Sequence, residues 1–571
     1  MKNIEIAKVF NEIADILEIK GENPFKIRAY RKAAQNLEAL SEDIEELTRK
    51  GRLTEIPGIG KDLASKIMEF IETGRISDHE KLKKEVPLGL LELLSIPGVG
   101  PKKAKLFYER LGVKSIGDLE EAARKGMLAG LPGVGAKTEE KILKGILLWR
   151  KSRERRSLGR ILPLAQEIIN RLKESPSVRR ISPAGSLRRM KDTVKDLDIL
   201  VVSTEPMDVM ERFVSFPFVM EVLGMGPTKS SILTKDAFQI DLRVVPEESF
   251  GAALQYFTGS KNHNIHLRQI AMKRGLKVSE YGVFKESSNE KIAGYTEEEV
   301  YEALGLVWIP PELREDRGEI EAALEGRLPK LLELSDIKGD LHIHSKWSDG
   351  AHTVEELVQK AIEKGYKYIA ITDHSKSLGV ARGLDEERLL SQIEEIRSIQ
   401  QRYNSIKIFA GIEVDILQDG SLDLPNEILS KLDIVIASVH SGFNMSQEEM
   451  THRICKALSN PYVDILGHPT GRLLEERDGY PVDIMTVIQK AREEGVALEI
   501  NAYPQRLDLN DVNAKIAKES GVKLAINTDA HTFGQLDFMV FGVATARRGW
   551  IEKEDVINAW EVDELIKWLN S

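Results

Sequence analysis

Gly185-Ser186-Leu187-Arg188-Arg189, followed by Val194-Lys195-Asp196-Leu197-Asp198-Ile199-Leu200-Val201-Val202, is the stretch on which the reading of this chain turns. The run after Asp198 is apolar and rich in β-branched residues, which predicts a buried strand. Side chains two apart in a strand share a face, so Asp196 and Asp198 point the same way at the edge of a core. Two carboxylates held together repel unless cations neutralise them. Hard divalent ions with oxygen ligands are the natural partner. A third carboxylate, Asp241, lies in Ala237-Phe238-Gln239-Ile240-Asp241-Leu242-Arg243-Val244-Val245, which reads as another strand. Three carboxylates on adjacent strands can hold two magnesium ions for in-line phosphoryl displacement. The Gly185-Ser186 turn can offer backbone N–H groups and a hydroxyl to a triphosphate. An Asp-x-Asp alone reads as a surface strand mouth; the glycine-serine turn before it and the third carboxylate after it favour catalysis.

Upstream, residues 1–50 place apolar side chains at helical spacing, as in Ile4-Ala7-Phe10-Ile13-Ile16-Leu17. Three similar units follow: Ile56-Pro57-Gly58-Ile59-Gly60, Ile96-Pro97-Gly98-Val99-Gly100 and Leu131-Pro132-Gly133-Val134-Gly135. Each runs into a helix-forming segment, Lys61 to Phe70, Pro101 to Tyr108 and Ala136 to Leu147. Glycines let the backbone turn tightly and approach a ligand. The next helix begins at once, so its free N–H groups and positive dipole end face whatever sits in the turn. A phosphate fits there without base readout. Gly58, Gly60, Gly98, Gly100, Gly133 and Gly135 are therefore candidate DNA contacts. Three ordinary turns are the alternative.

The net charge of −10 is unevenly spread. Residues 1–335 hold 55 Lys+Arg against 52 Asp+Glu, and residues 336–571 hold 26 against 39. Within 101–195 the count is 24 basic to 10 acidic, which would draw a phosphate backbone there and not to the acidic C-terminal part. A solvated helical face is the bland alternative. Cys455 is the single cysteine, which excludes an internal disulfide framework and fits a reducing cytosol. No apolar run approaches the ~20 residues of a membrane span, and no signal-peptide core stands at the N-terminus. The length of 571 residues implies several domains.

Downstream, eight of the eleven histidines lie beyond residue 335. Most follow an apolar, strand-like run: Asp340-Leu341-His342-Ile343-His344 leading to Asp349, Ile369-Ala370-Ile371-Thr372-Asp373-His374, Ala410-Gly411-Ile412-Glu413, Val435-Ile436-Ala437-Ser438-Val439-His440, Ile465-Leu466-Gly467-His468, Leu498-Glu499-Ile500-Asn501 and Ala525-Ile526-Asn527-Thr528-Asp529-Ala530-His531. Helical segments such as Thr353 to Lys364 and Glu386 to Arg402 lie between them. Such repetition predicts a parallel barrel or sheet whose strand ends converge on one face. Imidazole with carboxylate suits zinc, manganese or iron. One such histidine is usually a satisfied core residue; six at strand ends, joined by Asp349, Glu413 and Asp529, read as a metal centre. His352 and His452 fall outside the pattern, as surface or supporting residues.

Residues 1 to about 315 resemble the family X DNA polymerases, the group of DNA polymerase beta. The match rests on Gly185-Ser186, Asp196, Asp198 and Asp241, on Tyr256-Phe257-Thr258-Gly259-Ser260, and on Phe25-Lys26-Ile27-Arg28-Ala29-Tyr30-Arg31-Lys32 with the first Pro-Gly-Ile-Gly unit. The resemblance implies that Gly185, Ser186 and Arg189 hold the triphosphate. It implies that Tyr256, Phe257 and Gly259 shape the nucleotide pocket, Asn264 meets the incoming nucleotide and Arg268 the templating base. Lys66 falls at the Schiff-base lysine of a 5′-deoxyribose-phosphate lyase. Lys261 and Asp62 depart from the residue types of the beta enzyme, which bears on nucleotide affinity and on lyase-domain DNA contact. Residues 339–571 resemble the polymerase and histidinol phosphatase (PHP) family. That resemblance assigns His342, His344, Glu413 and Asp529 to one ion, a bridging Glu413 with His440 and His468 to a second, and Asp349, His374 and His531 to a third.

The expected fold is multidomain α+β and α/β. A helix-hairpin-helix lyase-like region spans 1–88 and a second helix-hairpin-helix domain 89–150. A nucleotidyltransferase palm (151–246), a nucleotide-binding subdomain (247–315), a linker (316–338) and a distorted seven-stranded (β/α) PHP barrel (339–571) follow. The expected function is short-gap DNA synthesis with a metal-dependent 3′–5′ exonuclease. Abasic-site endonuclease, 3′-phosphatase and lyase activities are further expectations. Two Mg²⁺ or Mn²⁺ ions are expected in the palm and up to three Zn²⁺ or Mn²⁺ in the barrel. Gapped or primer-template DNA and deoxynucleoside triphosphates are the expected partners, with no membrane. A monomer in the cytoplasm, associated with the nucleoid, completes the expectation. A small-ester phosphatase with a vestigial polymerase, and a DNA-binding scaffold inactive at both sites, are the rival readings.

Overall fold

A computed structural model describes residues 2–38, 40, 44–96 and 98–571. Pro97, and the side chains of Ile4, Glu38, Leu88, Leu148 and residues 151–153, lie outside the described part. The N-terminal third is helical. Helices Lys2–Lys20 and Pro24–Glu38 pack together, with Phe10 edge-on to Tyr30 at 5.4 Å. The three glycine units fold as expected. Gly58, Gly98 and Gly133 take φ of +80°, +89° and +76°, a region open to glycine at little cost. Gly60 and Gly100 are extended N-caps of Lys61–Thr73 and Pro101–Leu111, and Gly135 precedes Ala136–Arg153. The isoleucines and valines of each unit, Ile56, Ile59, Ile96, Val99 and Val134, are buried, so the apolar half anchors the turn while the glycines face out.

The basic stretch Lys151–Arg156 runs from helix into strand. Residues 151–153 finish a helix, and Arg156–Ser157 pairs with Thr193–Val194 in a short antiparallel ladder. The palm is a five-stranded sheet of β1 (Val178–Pro183), β2 (Asp196–Ser203), β3 (Val219–Met225), β4 (Lys229–Thr234) and β5 (Gln239–Val244), ordered β1-β2-β5-β4-β3. Only β2 and β5 are parallel neighbours, and Asp198 stands directly opposite Asp241. Leu197, Ile199 and Val201 pack on helices Leu158–Lys173 and Pro206–Val214; Leu200 and Val202 pack on Phe250, Ala253 and Leu254. Both faces are therefore covered, which explains the unbroken apolar run.

Beyond the palm, helices Phe250–Thr258 and Lys261–Lys273 meet at the Gly259 turn, and a three-stranded antiparallel sheet follows. The first part of the expected linker at 316–338 is α-helical at Glu319–Leu324. It is no free linker: Ile320 and Ala323 join the core of Leu267 and Tyr301, and buried Glu319 binds His263 Nδ1 at 2.6 Å.

The C-terminal part is a nearly closed barrel of seven parallel strands in sequence order: β6 (Gly339–Ile343), β7 (Tyr368–Ile371), β8 (Lys407–Asp415), β9 (Ile434–Ser438), β10 (Ile465–Leu466), β11 (Ala497–Asn501) and β12 (Leu524–Asn527). Ile343 bridges to Ala530 where the two ends of the series meet. Reciprocal Thr353–Glu356 and Ser446–Glu449 caps start two of its helices. Palm and barrel share a core. Leu507 and Phe541 of the barrel lie in the palm's apolar cluster, and a Cβ on Gly159 would stand 2.2 Å from Pro504 Cβ. No helix among the described residues is long and apolar enough to cross a membrane.

Candidate active sites

In the palm, Asp196 is exposed at the mouth, Asp198 is partly covered and Asp241 is buried. Burial, reinforced by Asp196 and Asp241, pushes the Asp198 carboxyl up to about 7. Burial and Asp241 also raise Asp196. Asp241 goes the other way. Burial opposes its charge, but Lys229 Nζ at 2.9 Å and Gln239 Nε2 at 3.0 Å hold it ionised. Lys229 and Gln239 were not singled out in the sequence; Lys229 comes from the neighbouring β4, and Gln239 stands two residues before Asp241 on β5. The three carboxylates therefore share one sheet end without drawing to a single point, since Asp241 leans on its own cation. Two of three carboxylates raised by burial and by one another's charge is the signature of a site built for added positive charge.

Gly185 has φ +62°, and a Cβ there would lie 2.9 Å from Asp198 Oδ2, so glycine is required beside the catalytic strand. The expected turn is one helical turn, Gly185–Arg188, which leaves the N–H groups at Gly185 and Ser186 outward. Arg189 is not where the resemblance put it. It is buried, with Nε on Glu315 at 2.9 Å and a guanidinium N–H donated to the Thr258 carbonyl. It braces the Ser186 turn against the Gly259 turn and does not reach for a triphosphate. Arg188 does likewise, with two 2.7 Å bonds to Glu297 and one to Thr258 Oγ1.

Tyr256 and Phe257 stack edge to face at 5.4 Å, Gly259 turns at φ +70°, and Ser260 caps the next helix through His263 N. Asn264 donates to the Tyr256 carbonyl at 2.7 Å and accepts from Gln255 at 2.8 Å, so its amide is fixed. Arg268 and Lys261 are exposed. Tyr256 and Arg268 line a cavity of ≈ 420 Å³ with Glu45, Arg49 and Lys277, between the N-terminal helices and the subdomain after the palm. Lys66 is not an open lysine. Burial would favour its neutral amine, yet bonds to Asp78 (2.9 Å) and Asp62 (3.1 Å) hold it well above the usual lysine range, charged.

In the barrel the expected ligands converge. Glu413 lies at the centre, with Oε1 2.9 Å from His468 Nε2 and 3.3 Å from His440 Nε2, and Oε2 2.8 Å from His374 Nδ1 and 3.4 Å from His342 Nε2. Asp529 is 2.9 Å from His344 Nε2. Asp349 is 3.4 Å from His531 Nε2 and 3.7 Å from His374 Nε2. Three groups among the described residues are placed to hold an ion: His344, Asp349, His374 and His531; His342, His344 and Asp529; His374, Glu413 and His440. The grouping differs in detail from the resemblance, because His344 and His374 each face two clusters.

Burial disfavours the Glu413 charge, but His440, His342 and His374 hold it well below the usual carboxylate range. His440 rises to about 10 and His531 to about 9 despite burial, through Glu413 and Asp349 respectively, whereas burial drops His344 to about 4. Even so, His342 Nε2, His344 Nδ1, His374 Nδ1, His468 Nδ1 and Glu413 Oε2 are buried and make no aligned hydrogen bond, the first and third meeting Glu413 Oε2 only as ion pairs. Each such atom costs about 1–3 kcal/mol if nothing binds it. Five in one mouth fit cation ligands. Two supports were missed in the sequence. Glu499 accepts a hydrogen bond from His342 Nδ1 at 2.8 Å and Asp415 one from His440 Nδ1 at 2.7 Å, each turning the other ring nitrogen inward. Asp415 was findable, two along the strand from Glu413. Arg506 Nε, 3.6 Å from Asp529, is a further cation at the mouth. His452 is exposed and His352 stacks on Phe533, so neither is a ligand.

A mixed palm with carboxylates at a strand end, helix-hairpin-helix turns before it and a histidine-lined barrel after it define a two-site enzyme of nucleic-acid phosphate chemistry. Family models agree segment by segment: a helix-hairpin-helix domain matches residues 1–76, a tandem of that motif 90–146, the DNA polymerase beta thumb 253–315 and the PHP domain 340–503. The DNA polymerase/3′-5′ exonuclease PolX of Bacillus subtilis is 44% identical over 571 residues, covering 100% of this chain and 99% of that protein. DNA polymerase lambda of Rattus norvegicus is 25% identical over 345 residues, 55% of this chain and 56% of its own length. A probable phosphatase of Thermoanaerobacter is 38% identical over 204 residues, 34% of this chain and 78% of that protein. The chain belongs to the PolX family, the family X DNA polymerases with a C-terminal PHP domain.

Proposed function

We propose that the protein fills short gaps in DNA at the palm and removes nucleotides 3′ to 5′ at the barrel. One observation carries the reading: a single chain holds strand-end carboxylates at 196, 198 and 241 and, separately, a mouth where four imidazoles surround Glu413. Asp196, Asp198 and Asp241 would hold two Mg²⁺ or Mn²⁺ ions, and the barrel clusters up to three Zn²⁺ or Mn²⁺ ions. Bound cations neutralise phosphate charge and activate an attacking oxygen. The N–H groups and hydroxyl of the Gly185-Ser186 turn receive triphosphate oxygens. Tyr256, Phe257 and Gly259 wall the sugar and base, Asn264 presents its fixed amide, and Arg268 meets the template. In the barrel, Glu499 and Asp415 orient His342 and His440, and Arg506 neutralises the incoming phosphate. The barrel's likeness to a probable phosphatase supports a second reading there, removal of a 3′-phosphate. The expected domain division, with 316–338 packed against the subdomain before it, a monomeric state and a cytoplasmic, nucleoid-associated location belong to the same proposal.

The test is a labelled primer in a gapped duplex with deoxynucleoside triphosphates. Dialysis against a chelator is expected to stop both extension and shortening. Mg²⁺ restores extension, and Mn²⁺ or Zn²⁺ restores shortening. Extension that persists in the chelated protein would sink the reading.

The hairpin glycines offer a cleaner probe. Gly60, Gly100 and Gly135 have open space where a Cβ would stand. Alanine at all three is expected to leave the melting temperature nearly unchanged yet to weaken gapped-DNA affinity about tenfold by crowding the phosphates. Fluorescence anisotropy at fixed salt checks it.

Lys66 is the proposed lyase nucleophile, although its amine is held charged. Borohydride trapping on abasic DNA is expected to be slow in the wild type, faster in Asp78→Asn, which removes one of the two carboxylates that hold the amine charged, and absent in Lys66→Ala.

A further inference from the structure

The nucleotide pocket is assembled from two turns, Gly185–Arg189 of the palm and Tyr256–Ser260 beyond it, and both are tied together through Arg189. What ties Arg189 lies in the barrel. Arg548, the last residue of barrel helix Met539–Arg548 and only 4% exposed, donates through one terminal nitrogen to the Arg189 carbonyl at 2.7 Å and to Glu315 Oε1 at 3.1 Å. Its other terminal nitrogen reaches Asp511 Oδ2 at 2.8 Å. Glu315 Oε1 is the oxygen that receives Arg189 Nε, and Arg189 in turn donates to the Thr258 carbonyl. The line from the barrel to the nucleotide turn is thus Arg548, Glu315, Arg189, Thr258, without a gap.

A second barrel arginine grips the same palm loop four residues before the catalytic strand. Arg472 donates to Asp192 Oδ2 at 3.1 Å, and its remaining nitrogens are anchored on the carbonyls of Arg506 (2.8 Å) and Leu507. The loop between the two grips contains Met190 at φ +51°, an uncommon conformation for a side-chain-bearing residue that its surroundings must impose. Lys191 N returns to the Ser186 carbonyl at 3.0 Å, so a shift of the loop moves Ser186. A planar guanidinium serves three acceptors at once in a geometry that a lysine point charge reproduces only in part.

We infer that Arg548 and Arg472 of the barrel are positioning residues for nucleotide binding in the palm, acting through Arg189, Glu315 and Asp192 on the turns that receive the triphosphate. The barrel is then part of the polymerase pocket as well as a second site. This rests on the proposed palm function, in which residues 185–186 and 256–260 form the nucleotide pocket. Loosening the grip acts on binding of the nucleotide, a KM effect, more than on the carboxylates that serve the chemical step.

The experiment uses the full-length protein on a gapped duplex with one deoxynucleoside triphosphate, and measures KM and kcat for insertion. The shortening rate on single-stranded DNA and the melting temperature are measured beside them. Arg548→Ala and Arg472→Ala are expected to raise the nucleotide KM about tenfold each, with kcat and shortening within about threefold of wild type. Arg548→Lys is expected to recover part of that loss and, with Arg472→Ala, decides the matter should Arg548→Ala not fold. A nucleotide KM within about twofold of wild type in both arginine variants overturns the inference. So does a loss of insertion and shortening in equal proportion, since the arginines would then only hold the barrel together. Asp198→Asn, run alongside, separates the underlying reading: if that variant still inserts nucleotides, the palm assignment itself has failed.

Discussion

Asp198→Asn is expected to lower nucleotide insertion by about a thousandfold or more while leaving 3′–5′ shortening intact. The carboxylate lies between Asp196 on its own strand and Asp241 on the neighbouring one, and an amide cannot supply the charge that two cations need. The same variant is expected to be more stable. Burial and its two acidic neighbours push Asp198 up to about 7 from an ordinary value of 3.8. A carboxyl whose pKa rises on folding favours the folded state while protonated. That contribution is complete below pH about 4 and is lost as the pH climbs to about 7. A shift of this size corresponds to about 4 kcal/mol at most, and partial solvent access reduces it to roughly 1–2 kcal/mol. Under chelation at pH 8, Asp198→Asn is therefore expected to melt above the wild type, and the gap should close at pH 4. Added Mg²⁺ should raise the wild type and not the variant. Scanning calorimetry at the two pH values, beside primer extension, decides it. A variant that melts lower at pH 8 would mean that Asp198 carries no buried charge conflict.

Glu413→Gln is expected to do the converse in the barrel, cutting shortening about a thousandfold or more with extension within about twofold of wild type. Four imidazole nitrogens stand within 3.4 Å of its two oxygens, so removal of its charge withdraws the common counter-charge from His342, His374, His440 and His468. His440, raised to about 10 against its burial first by Glu413 and also by Asp415, should hold its proton less tightly once the Glu413 charge is gone. Metal content per chain, by mass spectrometry of the purified protein, should fall by at least one ion. Full metal content with full shortening activity would remove Glu413 from the centre of the site.

Much of this was legible before any coordinates. Asp196, Asp198 and Asp241 could be read because strand periodicity fixes which side chains share a face, and the barrel ligands because each follows an apolar run that ends in a polar residue. The glycine units could be read because a left-handed turn at the mouth of a helix leaves a compositional mark. What stayed hidden depends on partners distant in the chain. Arg188 and Arg189 look alike in sequence, and nothing local tells that Glu297 and Glu315 claim them. Lys66 could be placed on a helix, but its enclosure by Asp78 follows from how the next helix packs. The segment expected as a connector at 316–338 looked solvated because it is charged, yet Glu319 is taken inside by His263. Sequence pattern shows which groups a strand presents; it does not show which opposite charge will meet them.

Leu507 and Phe541 come from the barrel but are solvated by palm side chains. Evolution therefore cannot trade the two halves like beads on a string. A gene that parted with either would strand greasy patches in water, so a free-standing barrel of this lineage must carry polar replacements at 507 and 541, and a palm inherited alone must have mended the hollow they leave.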